Sequence, residues 1–195
     1  MTALAAVMGY LIGSVSVAVI YSKIIYRRDV RTQGSGNAGA TNVARVFGIG
    51  AGLLTFAGDG LKTAAAMLLG RLIAGEPGFI AAGAACLIGH AWPVYFGFKG
   101  GKGVTVSAVI GIMLDWRIFA IGISIFIIVA LLTKRVSAGS MLGAFSYPFS
   151  MLALGSDTPA RLGLCIFVVV SVFFMHRENI KRLLKGTEPP FRAHK

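Results

Sequence analysis

The sequence predicts an all-α protein that crosses a lipid bilayer several times, and three observations carry that prediction. First, 56% of the 195 residues are apolar and only 13% are charged, against about 25% charged in ordinary soluble domains. Second, several apolar runs approach the roughly 20 residues a helix needs to span a bilayer. Third, the polar residues gather in a few short stretches between those runs. The chain reads as one integral-membrane domain over residues 1–195, with the lipid bilayer as its main partner.

The first span covers about Leu4 to Ile25 and ends at Tyr26-Arg27-Arg28. Met1 to Ala6 carries no basic residue, so this run is expected to stay as a span rather than be removed as a leader. The second span runs from about Phe47 to Leu72, with Asp59 and Lys62 three residues apart on one helix face. That spacing lets them pair with each other; an intramembrane ion pair is a functional candidate by default, and a structural lock between helices is at least as strong a reading. The third runs from about Phe79 to Phe98, carries His90 and is interrupted by Trp92-Pro93.

Val104 to Thr133 is too long for one crossing: 30 helical residues extend about 45 Å, against a bilayer core of about 30 Å. Asp115-Trp116-Arg117 divides it into two spans, the first of them short. Ser137 to Leu154 and Arg161 to Met175 complete a set of seven. Cys86 and Cys165 lie inside apolar runs and read as small buried hydrophobes, so neither a disulfide nor a metal site is expected.

The net charge of +12 points to nucleic acid in a soluble chain, but here position decides its meaning. With seven spans, Lys23, Arg27, Arg28, Arg31, Arg45, Lys99, Lys102, Lys134, Arg135, Arg177, Lys181, Arg182, Lys185, Arg192 and Lys195 share one side. Only Arg71, Arg117 and Arg161 fall on the other. Membrane proteins keep Lys and Arg in cytoplasmic loops, so the first side is cytoplasmic, the N-terminus outside and the C-terminus inside. Six spans destroy that asymmetry. No nucleic-acid partner is implied.

Four polar stretches then face the cytoplasm: 34–45, 97–105, 133–140 and 176–188. The first, Gly34-Ser35-Gly36-Asn37-Ala38-Gly39-Ala40-Thr41-Asn42-Val43-Ala44-Arg45, packs glycines and hydrogen-bonding side chains into one loop. A helix beginning near Ala38 puts Asn42 and Arg45 on one face. Ser35 precedes it, placed either to cap that helix or to donate to a ligand. The second, Lys99-Gly100-Gly101-Lys102-Gly103, leads into a helix at Val104. Glycine amides form a nest for an oxyanion, Lys and Arg neutralise it, and a helix N-terminus adds a favourable dipole. Tight turns and topology signals are the plainer explanation of either loop alone.

Two motif matches fail on context. Gly34-x-Gly36-x-x-Gly39 has the spacing of a dinucleotide fingerprint, but membrane spans flank it where a strand and a helix of an α/β unit are required. Lys102 lacks the upstream glycine spacing of a phosphate loop, and Gly103 stands where Ser or Thr must hold magnesium. In the last stretch His176 and Asn179 share a helix face, Glu178 faces Lys181 and Arg182, and Ile180, Leu183 and Leu184 form an apolar stripe suited to a membrane surface. His176 is placed to act as a general base or an anion ligand; His90 reads as a satisfied buried histidine.

Gly-Ser-Gly-Asn-x-Gly-Ala-Thr-Asn-x-x-Arg at 34–45, Lys-Gly-Gly-Lys-Gly-Val at 99–104 and His-Arg-x-Asn-Ile-x-Arg-Leu-x-x-Gly-Thr-Glu at 176–188 occur together and in order. They resemble the three motifs of the PlsY family, bacterial inner-membrane acyltransferases, and the likeness runs through essentially the whole chain. The resemblance implies transfer of a fatty acyl group from acyl phosphate to the 1-hydroxyl of glycerol 3-phosphate, giving lysophosphatidic acid and phosphate, with no cofactor and no metal. It implies Ser35, Arg45, His176 and Asn179 as catalytic. Gly34, Gly36, Asn37, Thr41, Asn42, Lys99, Gly100, Gly101, Lys102 and Gly103 are implied as substrate-binding, and Glu188 as structural. Thr105-Val106 replaces an expected Ala-Thr, which weakens Thr105 as a contact. No Ser-His-Asp set is readable on this face, so direct attack without an acyl-enzyme is expected. An organic-anion transporter is the competing class, supported by the intramembrane Asp59 and Lys62 and opposed by the clustering of polar groups at one face.

Overall fold

A computed structural model describes residues 1–155 and 158–191; Arg192 and Lys195 of the charge count lie outside the described residues. Every regular element among them is helical. The described residues fall into two compact units, Met1–Val106 and Ser107–Phe191.

In the first unit, α1 (Thr2–Gly13) and α2 (Val17–Tyr26) occupy the stretch expected as one continuous span. The span stands as expected, Thr2–Tyr26, and the helix within it is interrupted for a local reason. Ser16 leaves the helical conformation and its hydroxyl caps α2 through the Val19 N–H at 3.4 Å. Serine side chains compete with the helix ladder in this way. α2 ends at Arg27, whose φ of 54° is the left-handed stop usually given to glycine. A 3₁₀ turn over Val30–Thr32 follows, and then α3 (Ala40–Phe47), capped by Gly39.

α4 (Ile49–Ala91) is a hairpin of two arms. Ala74 and Gly75 leave helical geometry, Gly75 at φ 60°, and Pro77 lies in the first turn after the break, where a missing N–H costs nothing. Contacts nest about that break: Gly70 against Gly78, Thr63 Oγ1 3.9 Å from Cys86 Sγ, and Lys62 Nζ 3.2 Å from His90 Nδ1. The arms are therefore antiparallel, as the second and third spans require. α1 runs parallel to the second arm, with Gly9 on Ala82 and Gly13 on Cys86, while Gly89 faces Tyr10 and Ser14. Small residues let these backbones approach closely, the packing that holds helices where lipid removes the hydrophobic drive between them.

α5 (Val104–Leu114) is 11 residues, about 16 Å long, and bridges the boundary between the units. The second unit continues with α6 (Trp116–Thr133), whose start is capped by Asp115 through the Arg117 N–H at 2.9 Å, the interruption the sequence placed there. α7 (Val136–Ala153) packs antiparallel on α6, with Gly143 on Gly122 and Gly139 on Phe126. α8 (Pro159–Met175) packs antiparallel on α7 through Cys165 against Met151 and Phe173 against Phe145. Among the described residues, Thr2–Tyr26, Ile49–Phe96 and Trp116–Thr133 are long and apolar enough to cross a membrane. The second of these is the hairpin.

At His176 the chain bends by 61° into α9 (Arg177–Leu184). Glu178 pairs with Lys181 at 3.0 Å as expected. Arg182 instead turns to Glu188, at 2.7 Å. Glu188 also accepts from Ser137 Oγ and Asn179 Nδ2, both at 2.6 Å, and its carbonyl accepts from Arg135 at 2.9 Å. One carboxylate thus clasps the tail to the start of α7. Burial alone raises its carboxyl, but the hydrogen bonds from Ser137, Asn179 and Arg182 outweigh that and hold it below the usual glutamate value of 4.5.

Two outcomes follow from this packing. A Cβ on Gly13 meets the Cys86 backbone, with Cα at 2.7 Å, whereas one on Gly50 meets open space. Gly13→Ala is expected to lower the melting temperature in detergent, at a cost of about 1–3 kcal/mol. Gly50→Ala is expected to raise it slightly, by about 0.5–1 kcal/mol. The Glu188 clasp is fully present above the unfolded pKa, near 4.5, and is lost as pH falls through the depressed folded value. Hydrogen exchange of Lys185–Thr187, corrected for intrinsic rates, should show wild-type protection falling only below that pH. Glu188→Gln should begin less protected and show no such fall.

Candidate functional site

The first and second motif stretches lie in the same unit and touch. The Ala38 N–H donates to the Gly100 carbonyl at 3.4 Å. Arg31 reinforces the junction, donating from its guanidinium to the Phe96 carbonyl at 2.6 Å and to the Lys99 carbonyl at 3.4 Å. Arg31 is itself fixed by Asp29, which accepts from its side chain at 2.8 and 3.0 Å and caps the 3₁₀ turn through the Arg31 N–H. The hydrogen bonds from Arg31 hold the Asp29 carboxyl well below the usual carboxylate range. Sequence reasoning counted Arg31 only as a topology charge. The available signal was Asp29-x-Arg31, an acidic cap two residues before an arginine.

Within the first loop, Asn42 is the organising side chain. It is 2% exposed. Its Oδ1 accepts the Ser35 N–H at 2.8 Å, and its Nδ2 lies within 3.1 Å of the Val30, Gln33 and Asn37 carbonyls. Arg45 reaches the same Oδ1 at 3.5 Å, which confirms the shared helix face. The amide of Asn42, expected as a substrate contact, is engaged by the loop's own backbone. Gly34 belongs to the same arrangement: at φ 58° its missing Cβ leaves the place that Asn42 Oδ1 occupies. Ser35 does not cap α3, since Gly39 does. Ser35, Gly36 and Thr41 are exposed, and Asn37 and Arg45 are partly so.

The second loop differs from the expected nest in one respect. The Gly100 and Gly101 amides donate to the Ala91 and His90 carbonyls at 3.1 and 3.0 Å, closing the end of α4. Those two N–H groups are therefore not aimed at a ligand. These glycines are required by close approach, since a Cβ on Gly100 runs into the His90 carbonyl and one on Gly101 into the His90 ring. Gly103 sits at φ 74°, against Leu87. Lys99 is exposed and Lys102 partly buried.

The third motif lies in the second unit. His176 is 3% exposed, and its Nδ1 lies 2.8 Å from the Val172 carbonyl, which places the proton on that nitrogen. Asn179 is buried beside it on α9 and donates to Glu188. Below the second loop, Asp59 and Lys62 form the expected pair at 2.8 Å, and His90 joins them.

The family profile that matches this chain is that of glycerol-3-phosphate acyltransferase, over residues 3–186. A glycerol-3-phosphate acyltransferase of Clostridioides difficile is 42% identical over 189 residues, covering 94% of this chain and 92% of that protein. Glycerol-3-phosphate acyltransferase 2 of Bacillus anthracis is 37% identical, covering 96% and 98%. Among solved structures, the glycerol 3-phosphate form of PlsY, an integral membrane glycerol 3-phosphate acyltransferase, aligns with a TM-score of 0.91 and 31% identity, covering 98% of this chain and 96% of that one. The lysophosphatidic acid form aligns with a TM-score of 0.89 at 30% identity, covering 98% and 95%. With the profile spanning nearly the whole chain, both glycine loops included, this protein belongs to the PlsY family of glycerol-3-phosphate acyltransferases.

Proposed function

We propose that this protein transfers a fatty acyl group from acyl phosphate to the 1-hydroxyl of sn-glycerol 3-phosphate in the bacterial inner membrane. Its seven spans leave the N-terminus outside and the catalytic loops in the cytoplasm. The reading rests chiefly on one observation, the joining of the two glycine-rich basic loops through Ala38, Gly100 and Arg31. Two phosphate-bearing substrates, one of them carrying an acyl chain, need paired anion sites at a membrane boundary. A relative's name that gives glycerol 3-phosphate as substrate supports the acceptor; the acyl phosphate donor rests on the motifs.

The chemistry is a single displacement. The glycerol 1-hydroxyl oxygen forms a bond to the acyl carbon, the acyl–phosphate C–O bond breaks, and inorganic phosphate leaves with that bond's electrons. The hydroxyl proton goes to His176 or to a substrate phosphate. Acyl phosphate is a mixed anhydride with a good leaving group, so positioning and charge stabilisation supply most of the acceleration. Ser35 donates a hydrogen bond to the acyl phosphate, and Arg45 with Lys99 and Lys102 neutralises phosphate charge. His176 and Asn179 orient glycerol 3-phosphate. Asn42, Gly34, Gly100 and Gly101 act through the shape of the loops.

Purified protein in detergent should convert palmitoyl phosphate and glycerol 3-phosphate to lysophosphatidate and inorganic phosphate in equal amounts, and should not use palmitoyl coenzyme A. Turnover with the thioester alone overturns the donor assignment, and no turnover with either donor overturns the enzyme reading. Ser35→Ala should lower kcat by about 10²-fold, the usual cost of one oxyanion donor. Initial-rate lines for the wild type should intersect. Parallel lines, or a labelled acyl group trapped on Ser35, would establish an acyl-enzyme instead.

A further inference from the structure

The reaction leaves one buried polar cluster without a role. Asp59, Lys62 and His90 are 1%, 9% and 6% exposed, inside a hairpin whose other buried residues are mostly small or apolar. Charged side chains in such a setting are costly unless each is met by a partner. The Lys62 ammonium is surrounded by three polar groups: the Val15 carbonyl at 2.6 Å, Asp59 Oδ1 at 2.8 Å and His90 Nδ1 at 3.2 Å. Val15 lies in the break between α1 and α2, so the ammonium takes up a carbonyl that the broken helix leaves over.

The same contacts fix the imidazole. Its Nδ1 faces the Lys62 ammonium at 3.2 Å and Asp59 Oδ1 at 3.6 Å, which turns the Nε2 edge the other way. That edge of the ring lies where Gly101 would carry a Cβ, with the Ala38 carbonyl bordering the same space. The His90 main-chain carbonyl holds the Gly101 N–H at 3.0 Å. His90 thus grips Gly101 from its backbone and its ring at once, and the ring's orientation comes from the ion pair below. Ser14 and Tyr10, flanking the break that Lys62 caps, reach the other side of this turn, bonding Val94 N–H at 3.4 Å and the Trp92 carbonyl at 3.0 Å.

We propose that His90, held by the Asp59–Lys62 pair, is a positioning residue that sets the Lys99–Gly103 loop and thereby the affinity for the phosphate bound there. The inference rests on the phosphate-binding reading of that loop. A loop held out of place loses ligand affinity without losing the groups that react. A misplacement of about 1 Å can cost up to 10²-fold. The effect therefore falls on KM for one of the two phosphate substrates.

The test is a double-mutant cycle on His90→Ala and Gly101→Ala, with steady-state kinetics for both substrates and melting temperature measured on each purified variant. Each single variant should raise KM for one substrate about tenfold or more, leave KM for the other within twofold, and keep kcat within about threefold. The double variant should recover much of the loss, because removing the ring opens the space a Cβ at Gly101 needs. His90→Asn, which retains an acceptor for Lys62, should lie between wild type and His90→Ala. Unchanged KM values in folded variants, additive losses in the double variant, or loss confined to kcat overturn the proposal. Where His90→Ala fails to fold, Gly101→Ala alone carries the test, and the absence of a substrate-selective KM change in it overturns the proposal. If the wild type shows no acyl transfer, the functional reading fails separately. The proposal is then decided by the rise in melting temperature with inorganic phosphate, which must be present in wild type and reduced in His90→Asn; an equal rise in both overturns it.

Discussion

Inside an apolar slab no water replaces a missing backbone hydrogen bond, so every interruption of a helix must bring its own partners. That constraint organises the first half of this protein. The Ser14–Ser16 break is closed by the Ser16 hydroxyl, by the Lys62 ammonium on Val15, and by the Ser14 hydroxyl on the Val94 N–H. The end of α4 is closed by the Gly100 and Gly101 amides. In both places the groups that satisfy the backbone also join elements far apart in sequence. The contacts that satisfy the backbone at these breaks also fix the turn that carries the second glycine-rich loop.

The helices that carry those breaks are held by proximity more than by bulk. Gly9, Gly13, Gly70, Gly78 and Gly89 sit where a neighbouring backbone leaves no room for a Cβ. Dispersion contacts and hydrogen bonds strengthen steeply as backbones approach. Close packing of this kind has few alternative registers, since a shift by one residue sets a Cβ against a carbonyl. A rigid hairpin follows, and a rigid hairpin is what a buried ion pair requires: Asp59 and Lys62 on one arm meet His90 on the other only at one register.

Much of this was legible in sequence, for identifiable reasons. Apolar length gave most of the helices, and Asp115 marked the interruption before α6 through chemistry that acts within three residues. The Asp59–Lys62 pair followed from helical spacing alone. What sequence did not expose depended on contacts between distant stretches. The break in the first span is set around Ser14 and Ser16, whose hydroxyls are equally at home in an unbroken helix until Val94 N–H bonds Ser14 and Lys62 takes up the Val15 carbonyl between them. His90 was read as a satisfied core histidine. It is satisfied, but by the ion pair, and its neighbour Gly101 is eleven residues away across a turn that local pattern does not fix. Glu188 was placed as structural from a motif; its three donors, Ser137, Asn179 and Arg182, come from two helices.

The two glycine loops also bear on what a motif encodes. Asn42, Gly34, Gly100 and Gly101 are determined by the loops' own geometry: an amide bonded to four backbone groups, and glycines pressed against Asn42 and His90. Replacing any of them changes the frame before it changes a ligand contact. Ser35, Thr41 and Lys99 are exposed, and the proposed reaction draws on exposed or partly exposed side chains of this kind, Ser35, Lys99, Lys102 and Arg45 among them. Residues of the first kind fix where backbone and side chains stand, and residues of the second kind can be altered while the frame persists. A sequence match to both loops is therefore firmer evidence for a shared loop architecture than for any single substrate contact, and only kinetics on the exposed side chains assigns those contacts.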